Sequence, residues 1–168
     1  MTGDPALLHP AVAAAVVAHG LVVDVLPCDP ELADTAAFCE HYGFALEDAA
    51  NTILVTSKKV EPPLRVVCVV LGTTRLDVNR TVRERLGVRR ASFADADTTV
   101  ELTGMQIGGV TAPGVDGLPL WVDAAVLERE RVVMGGGNRS SKLVLDPHEL
   151  LKLPGVEVVA ALASAHNR

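Results

Sequence analysis

Two apolar runs separated by a charged, proline-doubled break limit this chain more than any other feature. Residues 51–57 read NTILVTS, residues 64–71 read LRVVCVVL, and KKVEPP lies between them. β-Branched residues dominate both runs and suit a pleated sheet, while the double proline and the charges suit a turn. The pair therefore predicts a hairpin. After Arg65 the second run is apolar without interruption, which leaves no face for water and assigns it to the centre of a covered sheet. Aromatic residues make up only 3% of the chain, so Val, Leu and Ala must fill the core.

Shorter elements surround this hairpin. Residues 5–19 predict a helix that stops at Gly20, residues 22–26 a buried strand, and residues 32–41 a second helix ending at Gly43. Beyond the hairpin, residues 79–86 predict a helix stopped by Gly87 and residues 91–93 a short strand. A helix over 95–103 follows, with Asp95 or Asp97 at its start. Strands are expected over 118–122, 131–134, 142–145 and 156–160. A brief helix over 124–127 is capped by Asp123, and Pro147 opens a helix over 147–153 behind Asp146. Residues 164–168 are expected to fray. About seven or eight strands mixed with about five helices, lacking a steady βαβ rhythm, indicate a mixed-sheet α+β domain rather than a doubly wound one.

At 168 residues the chain fits one domain, and 49% hydrophobic against 21% charged residues excludes disorder. The net charge of -6 has the wrong sign for indiscriminate nucleic-acid binding but permits a local basic face. One such segment exists. Residues 75–90 hold six arginines against Asp77 and Glu84, an excess of four positive charges; most often such a run is a solvated helix face. Cys28, Cys39 and Cys68 share no C-x-x-C spacing, so neither a disulfide framework nor a zinc site is indicated. The five histidines are scattered, and no metal site is expected. The apolar run 11–18 is well short of the roughly 20 residues a membrane span needs, and Asp4 stands where a leader would carry a cation. A cytoplasmic protein with no membrane partner is the expectation.

Residues 103–114, TGMQIGGVTAPG, place four glycines and a proline within twelve residues. Glycine permits close backbone approach, and Pro113 fixes the exit direction. The run does not lie between a strand and a helix and lacks the GK[ST] of a phosphate loop, so it predicts a pocket wall and no particular reaction.

Taken in order, five segments resemble the YbaK/prolyl-tRNA synthetase-associated domain family. They are AANTILV (49–55), RLDVNRTVRERLG (75–87), ELTGMQIGGVTAPG (101–114), LPLWVDAAVL (118–127) and MGGGNRSSKLVLDPHELLKL (134–153). The resemblance extends over about residues 22–162. It implies a compact mixed α/β fold around a central barrel-like sheet, and hydrolysis in trans of the ester of mischarged tRNA without a metal or other cofactor. The implied partner is the tRNA, through its 3′ aminoacyl-adenosine end, with an aminoacyl-tRNA synthetase as a second; no oligomeric state is implied. On the same analogy Gly108, Gly109, Val110, Thr111, Ala112 and Pro113 form one wall of the pocket and Met134, Gly135 and Gly136 another.

The sequence departs from the family in two places. Many members carry a lysine where this chain has Asn51, and an amide cannot supply the point charge an ammonium offers an oxyanion or phosphate. Asn51 is thus the candidate catalytic position and also the reason to weigh a non-catalytic module that binds aminoacyl-tRNA or a nucleotide. Lys58 and Lys59 lie too far along the strand to replace the missing charge in place. Cys28 occupies a position near a strand end where relatives often have histidine, and no chemistry is assigned to it. A hydrolase of another small acylated molecule is the third reading. Thr111 is open to two uses, orienting water or the acyl group, or bracing the turn.

Overall fold

The predicted hairpin is the middle of the molecule. In the computed structural model, which describes residues 2–165, the chain runs through α1 (Pro10–Ala18), β1 (Asp24–Pro27), α2 (Thr35–Tyr42), β2 (Ala50–Ser57), β3 (Arg65–Leu71) and β4 (Thr74–Leu76). It continues through α3 (Arg83–Leu86), β5 (Ala91–Phe93), α4 (Ala96–Thr103), β6 (Leu120–Asp123), α5 (Ala124–Leu127), β7 (Val132–Gly135), β8 (Ser141–Leu145), β9 (Val156–Val159) and β10 (Ala163–Ala165). β2 and β3 pair antiparallel from Ala50↔Leu71 to Thr56↔Arg65.

The hairpin sits within a five-stranded sheet of order β5-β2-β3-β6-β9, in which β3, β6 and β9 run parallel. A three-stranded antiparallel sheet, β1-β8-β7, packs against it. Period-two alternation divides the strands cleanly. Val67, Val69 and Leu71 of β3 join Val25, Met134, Leu143 and Leu145 in one core between the sheets, which α1 closes with Val12 and Val16. Val66, Cys68 and Val70 point the other way, into a second core with Trp121, Val159 and Leu162. Both faces of β3 are therefore covered, as its unbroken apolar run requires. The architecture is mixed α+β, with an isolated parallel bridge between Ala49 and Val133 joining the two sheets at one edge.

Several predicted elements change form. The helix expected over 5–19 is broken: a 3-10 turn (Pro5–Leu7) precedes α1, and His9 caps α1 by accepting from the Ala11 N–H through Nδ1. Residues 79–86 begin as a π-helical turn (Val78–Val82), and the helix expected over 147–153 is 3-10 (Pro147–Lys152). The helix expected from Leu32 starts at Thr35, after a 3-10 turn over Pro30–Leu32. Asp123 stands at the head of α5 but accepts from the Leu162 N–H at 3.2 Å instead of closing a side-chain cap. Of the residues expected to fray, Ser164 and Ala165 belong to β10, paired with β4; 166–168 lie outside the described residues. Sequence reading assigned neither β4 nor β10.

Candidate functional site

Of the site residues named from sequence, Asn51, Met134 and Gly135 meet at the seam between the two sheets, where the start of β2 meets the end of β7. The glycines there are required by backbone contact. A Cβ on Gly109 would fall on the Asn138 carbonyl oxygen and 2.5 Å from its carbon, and one on Gly135 would lie 2.5 Å from the Gly109 oxygen. Gly137 N–H donates to that same Gly109 oxygen at 2.7 Å, while the Gly136 oxygen accepts from the His9 N–H at 3.0 Å. The close approach that glycine content predicted is thus made by the two walls to one another, locking loop 103–114 onto the glycine turn after β7.

A cavity of about 20 Å³ opens at this seam, lined by Thr35, Phe38, Cys39, Ala49, Ala50, Asn51, Val133, Met134, Gly135 and Lys142. Roughly 10–15 Å³ accommodates one water on such a measure, so the space is of solvent size. Of the sequence-predicted residues, Asn51, Met134 and Gly135 line it. Gly108, Gly109, Val110, Thr111, Ala112, Pro113 and Gly136 do not, although the Gly109 and Val110 oxygens abut Gly135 from behind. Asn51 is half-buried, and its Oδ1 accepts from the Thr35 hydroxyl at 2.7 Å, which leaves the amide N–H₂ free to donate. Thr111 is fully buried, and its hydroxyl has no partner among the described residues; it does not brace the turn. The half-buried N–H groups of Gly108 and Val110 donate to no acceptor among the described residues.

Lys142 was not foreseen. It follows the glycine turn on β8, opposite Gly135 in register, and alternation turns it away from Leu143 toward α2. Its side chain is buried, Nζ donates to the Ala33 carbonyl at 2.6 Å, and the ammonium lies 5.2 Å from the centre of the Phe38 ring. Burial holds its pKa below the ordinary lysine value. Cys28 and Cys39 lie near it, both thiols pushed up chiefly by desolvation. A lone lysine inside an apolar strand was the available sequence signal, but its direction depended on where α2 packs.

Larger hollows lie elsewhere. One of about 650 Å³ is bordered by Asp77, Arg80, Glu84 and Arg85, mixing both signs of charge. Another, of about 580 Å³, is lined by Lys58, Lys59, Arg89 and Arg90 together with Val60, Leu64, Gly87 and Val88, and holds no acid. Antiparallel pairing of β2 with β5 builds it: Ser57 faces Ala91, and Lys58 N–H donates to the Arg90 oxygen at 2.9 Å. The arginine-rich segment is thereby divided. Arg83 is tied to the Asn79 and Val88 carbonyls, and Arg85 pairs with Glu157 at 3.1 Å above Trp121. Lys58, Lys59, Arg89 and Arg90 are exposed and form no ion pair among the described residues.

The class so defined is a mixed α+β domain in which two glycine-rich backbone segments pack against one another behind a small seam, with a half-buried amide and a buried ammonium beside it. Residues 29–153 match the aminoacyl-tRNA editing domain, and the chain belongs to that family, the one expected from its motifs. Among solved structures it is similar to a candidate trans-editing enzyme for prolyl tRNA synthetase, at 23% identity and a TM-score of 0.77 over 91% of this chain and 97% of that one. It is also similar to a hypothetical protein, APE2540, at 27% identity and a TM-score of 0.80 over 92% and 99% respectively. No helix among the described residues is long and apolar enough to cross a membrane.

Proposed function

We propose that this protein removes amino acids from mischarged tRNA in trans, as a cytoplasmic deacylase that uses neither a side-chain nucleophile nor a metal. The observation that carries the reading is the seam itself: in a member of the editing domain family, Asn51 borders a solvent-sized cavity beside Gly135, against which the Gly109 and Val110 carbonyls pack. The aminoacyl ester of the terminal adenosine approaches from the side where Thr35, Asn51 and Gly135 are half-buried. Water adds to the ester carbonyl, the negative charge gathers on its oxygen, and the C–O bond to the ribose breaks. The ribose oxygen takes the proton, releasing free amino acid and uncharged tRNA. The Asn51 amide, which lines the cavity, is the donor for that oxyanion, whose stabilisation is usually the largest single catalytic contribution.

The body of the tRNA lies along β2 toward the basic groove. Seven strand steps separate Asn51 from Lys58, roughly 23 Å at the rise of a β-strand, so four exposed cations stand within reach of acceptor-stem phosphates. Such contacts hold a nucleic acid in place without reading its sequence. The test is loss of label from a panel of mischarged tRNAs with enzyme in excess. Turnover of at least one is expected, and turnover of none sinks the hydrolytic reading. A binding-only module is the second reading, favoured by the neutral amide at Asn51; tight binding of charged tRNA with no loss of label is its signature.

A further inference from the structure

Burying an ammonium is costly unless it is paired, and Lys142 forms no ion pair among the described residues. Among the described residues one acceptor, the Ala33 carbonyl, takes one of its three N–H bonds. Lys142 lines the same cavity as Asn51. A lysine placed only to pin the loop before α2 is an expensive choice at this position, because an apolar residue of similar length would fill the same space against Phe38.

We propose that Lys142 is the cation of the ester site, reaching it from β8 where Asn51 on β2 has none: a positioning residue whose ammonium acts through water in the shared cavity on the acyl oxygen. This rests on the deacylase reading above. The charge enters from the opposite wall of the seam, so the site retains a cation although residue 51 is neutral. Groups facing the ammonium are the Cys28 thiol after β1, the Cys39 thiol on α2, Asp34 before α2 and Arg139 before β8. Asp34 is itself paired with Arg139 at 3.2 Å, so these two largely cancel at Lys142. As the pH rises through its lowered pKa, Lys142 loses its proton and the site loses its cation.

The test compares wild type, Lys142→Met, Lys142→Arg and Asn51→Lys/Lys142→Met. It measures deacylation across pH, binding of a non-hydrolysable 3′-aminoacylamino-adenosine, and thermal unfolding. Lys142→Met is expected to keep or raise Tm, to lose at least tenfold in kcat, and to lose the alkaline limb of the pH profile. Lys142→Arg recovers part of the rate, and the double variant recovers it by returning the charge from β2. Wild-type rate and pH profile in a folded Lys142→Met overturn the proposal. A collapse of Tm in Lys142→Met with full activity in its remaining folded fraction overturns it equally, because it marks a structural lysine. If wild type binds the adenosine probe but hydrolyses nothing, the deacylase reading fails alone; Lys142 is then judged by whether the probe binds at least tenfold more weakly to Lys142→Met, an unchanged affinity overturning its role. Neither turnover nor probe binding by wild type overturns both.

Discussion

A different kind of positive charge stands beside each end of β2. At its start, Lys142 is buried against Phe38 and, with Asn51, lines a cavity of about 20 Å³. At its end, Lys58, Lys59, Arg89 and Arg90 stand in water around about 580 Å³ of open groove. Burial separates what these charges can do. The exposed four attract a polyanion over a distance but are screened by salt within about 8–10 Å. The buried one is screened little, is costly to keep charged, and acts strongly on whatever approaches within a few ångströms. On the proposed deacylase reading, a protein of net charge -6 confines its attraction for RNA to one groove and its chemistry to one seam, and each should fail in its own way.

The largest effect is expected where the seam is built. Gly109→Ala places a methyl on the Asn138 backbone, and neither segment can yield without breaking the Gly137-to-Gly109 hydrogen bond. Overpacking of this kind costs about 3 kcal/mol, to be read as a fall in denaturation midpoint with the slope unchanged. Probe binding at the seam should disappear even in the folded fraction. Retention of both would mean that the glycine walls are looser than they stand here.

Next comes Lys142→Met, which separates charge from packing. Folding lowers this lysine's pKa, so the unfolded chain binds the extra proton between the lowered value and the ordinary 10.5. Wild-type stability therefore rises with pH across that window, whereas catalysis that needs the ammonium falls across it. Opposite slopes for Tm and rate in wild type, both absent in Lys142→Met, are the expected signature. Parallel slopes would break the contrast drawn between the two ends of β2.

How much of this was legible varies with the range of the interaction that decides it. β-Branched runs around a charged, proline-doubled break announced the hairpin 51–57/64–71, and the unbroken apolar run 66–71 its central place; the start of α4 was readable as Asp95 or Asp97, and Asp95 is the cap, because a cap is a local event. β4 and β10 were not readable. Each is three residues long, and its partner is almost ninety positions away, so no local pattern announces it. The helix expected over 5–19 missed its break because His9 is committed to the glycine turn, an interaction that spans most of the chain. The site divided in the same manner. Glycine content suggested a wall at 103–114 and the resemblance suggested Met134–Gly136 and Asn51, but the buried ammonium beside the cavity sits on β8, and its burial there depends on the packing of α2 over that sheet.

At the other end of β2, reversing Lys58, Lys59, Arg89 and Arg90 to Glu should weaken tRNA binding and flatten its dependence on salt, by about 0.7–0.9 in log–log slope for each phosphate that is no longer neutralised. Hydrolysis of a small aminoacyl-adenosine ester should be unchanged, because it never reaches the groove. Reversal of Arg83 and Arg85 is the control: their guanidiniums are already held by Val88, Asn79, Glu157 and Trp121. That pair should affect stability by about 1 kcal/mol or less and tRNA binding hardly at all. Equal weakening of binding from both sets would move the RNA path off the groove and onto the helical segment.

The smallest expected effect tests the geometry of the seam without touching its charge. Thr35→Val removes the hydroxyl that donates to Asn51 Oδ1 at 2.7 Å and keeps the side-chain shape. A neutral hydrogen bond contributes about 1 kcal/mol, so Tm should move little. The amide is then free to turn and present its oxygen instead of its N–H₂ to the cavity. If Asn51 donates to the acyl oxygen, kcat should drop about fivefold, the equivalent of about 1 kcal/mol, while probe binding and salt dependence stay as they are. A loss confined to binding would instead assign Thr35 and Asn51 to holding the ester, leaving Lys142 alone to act on its oxygen.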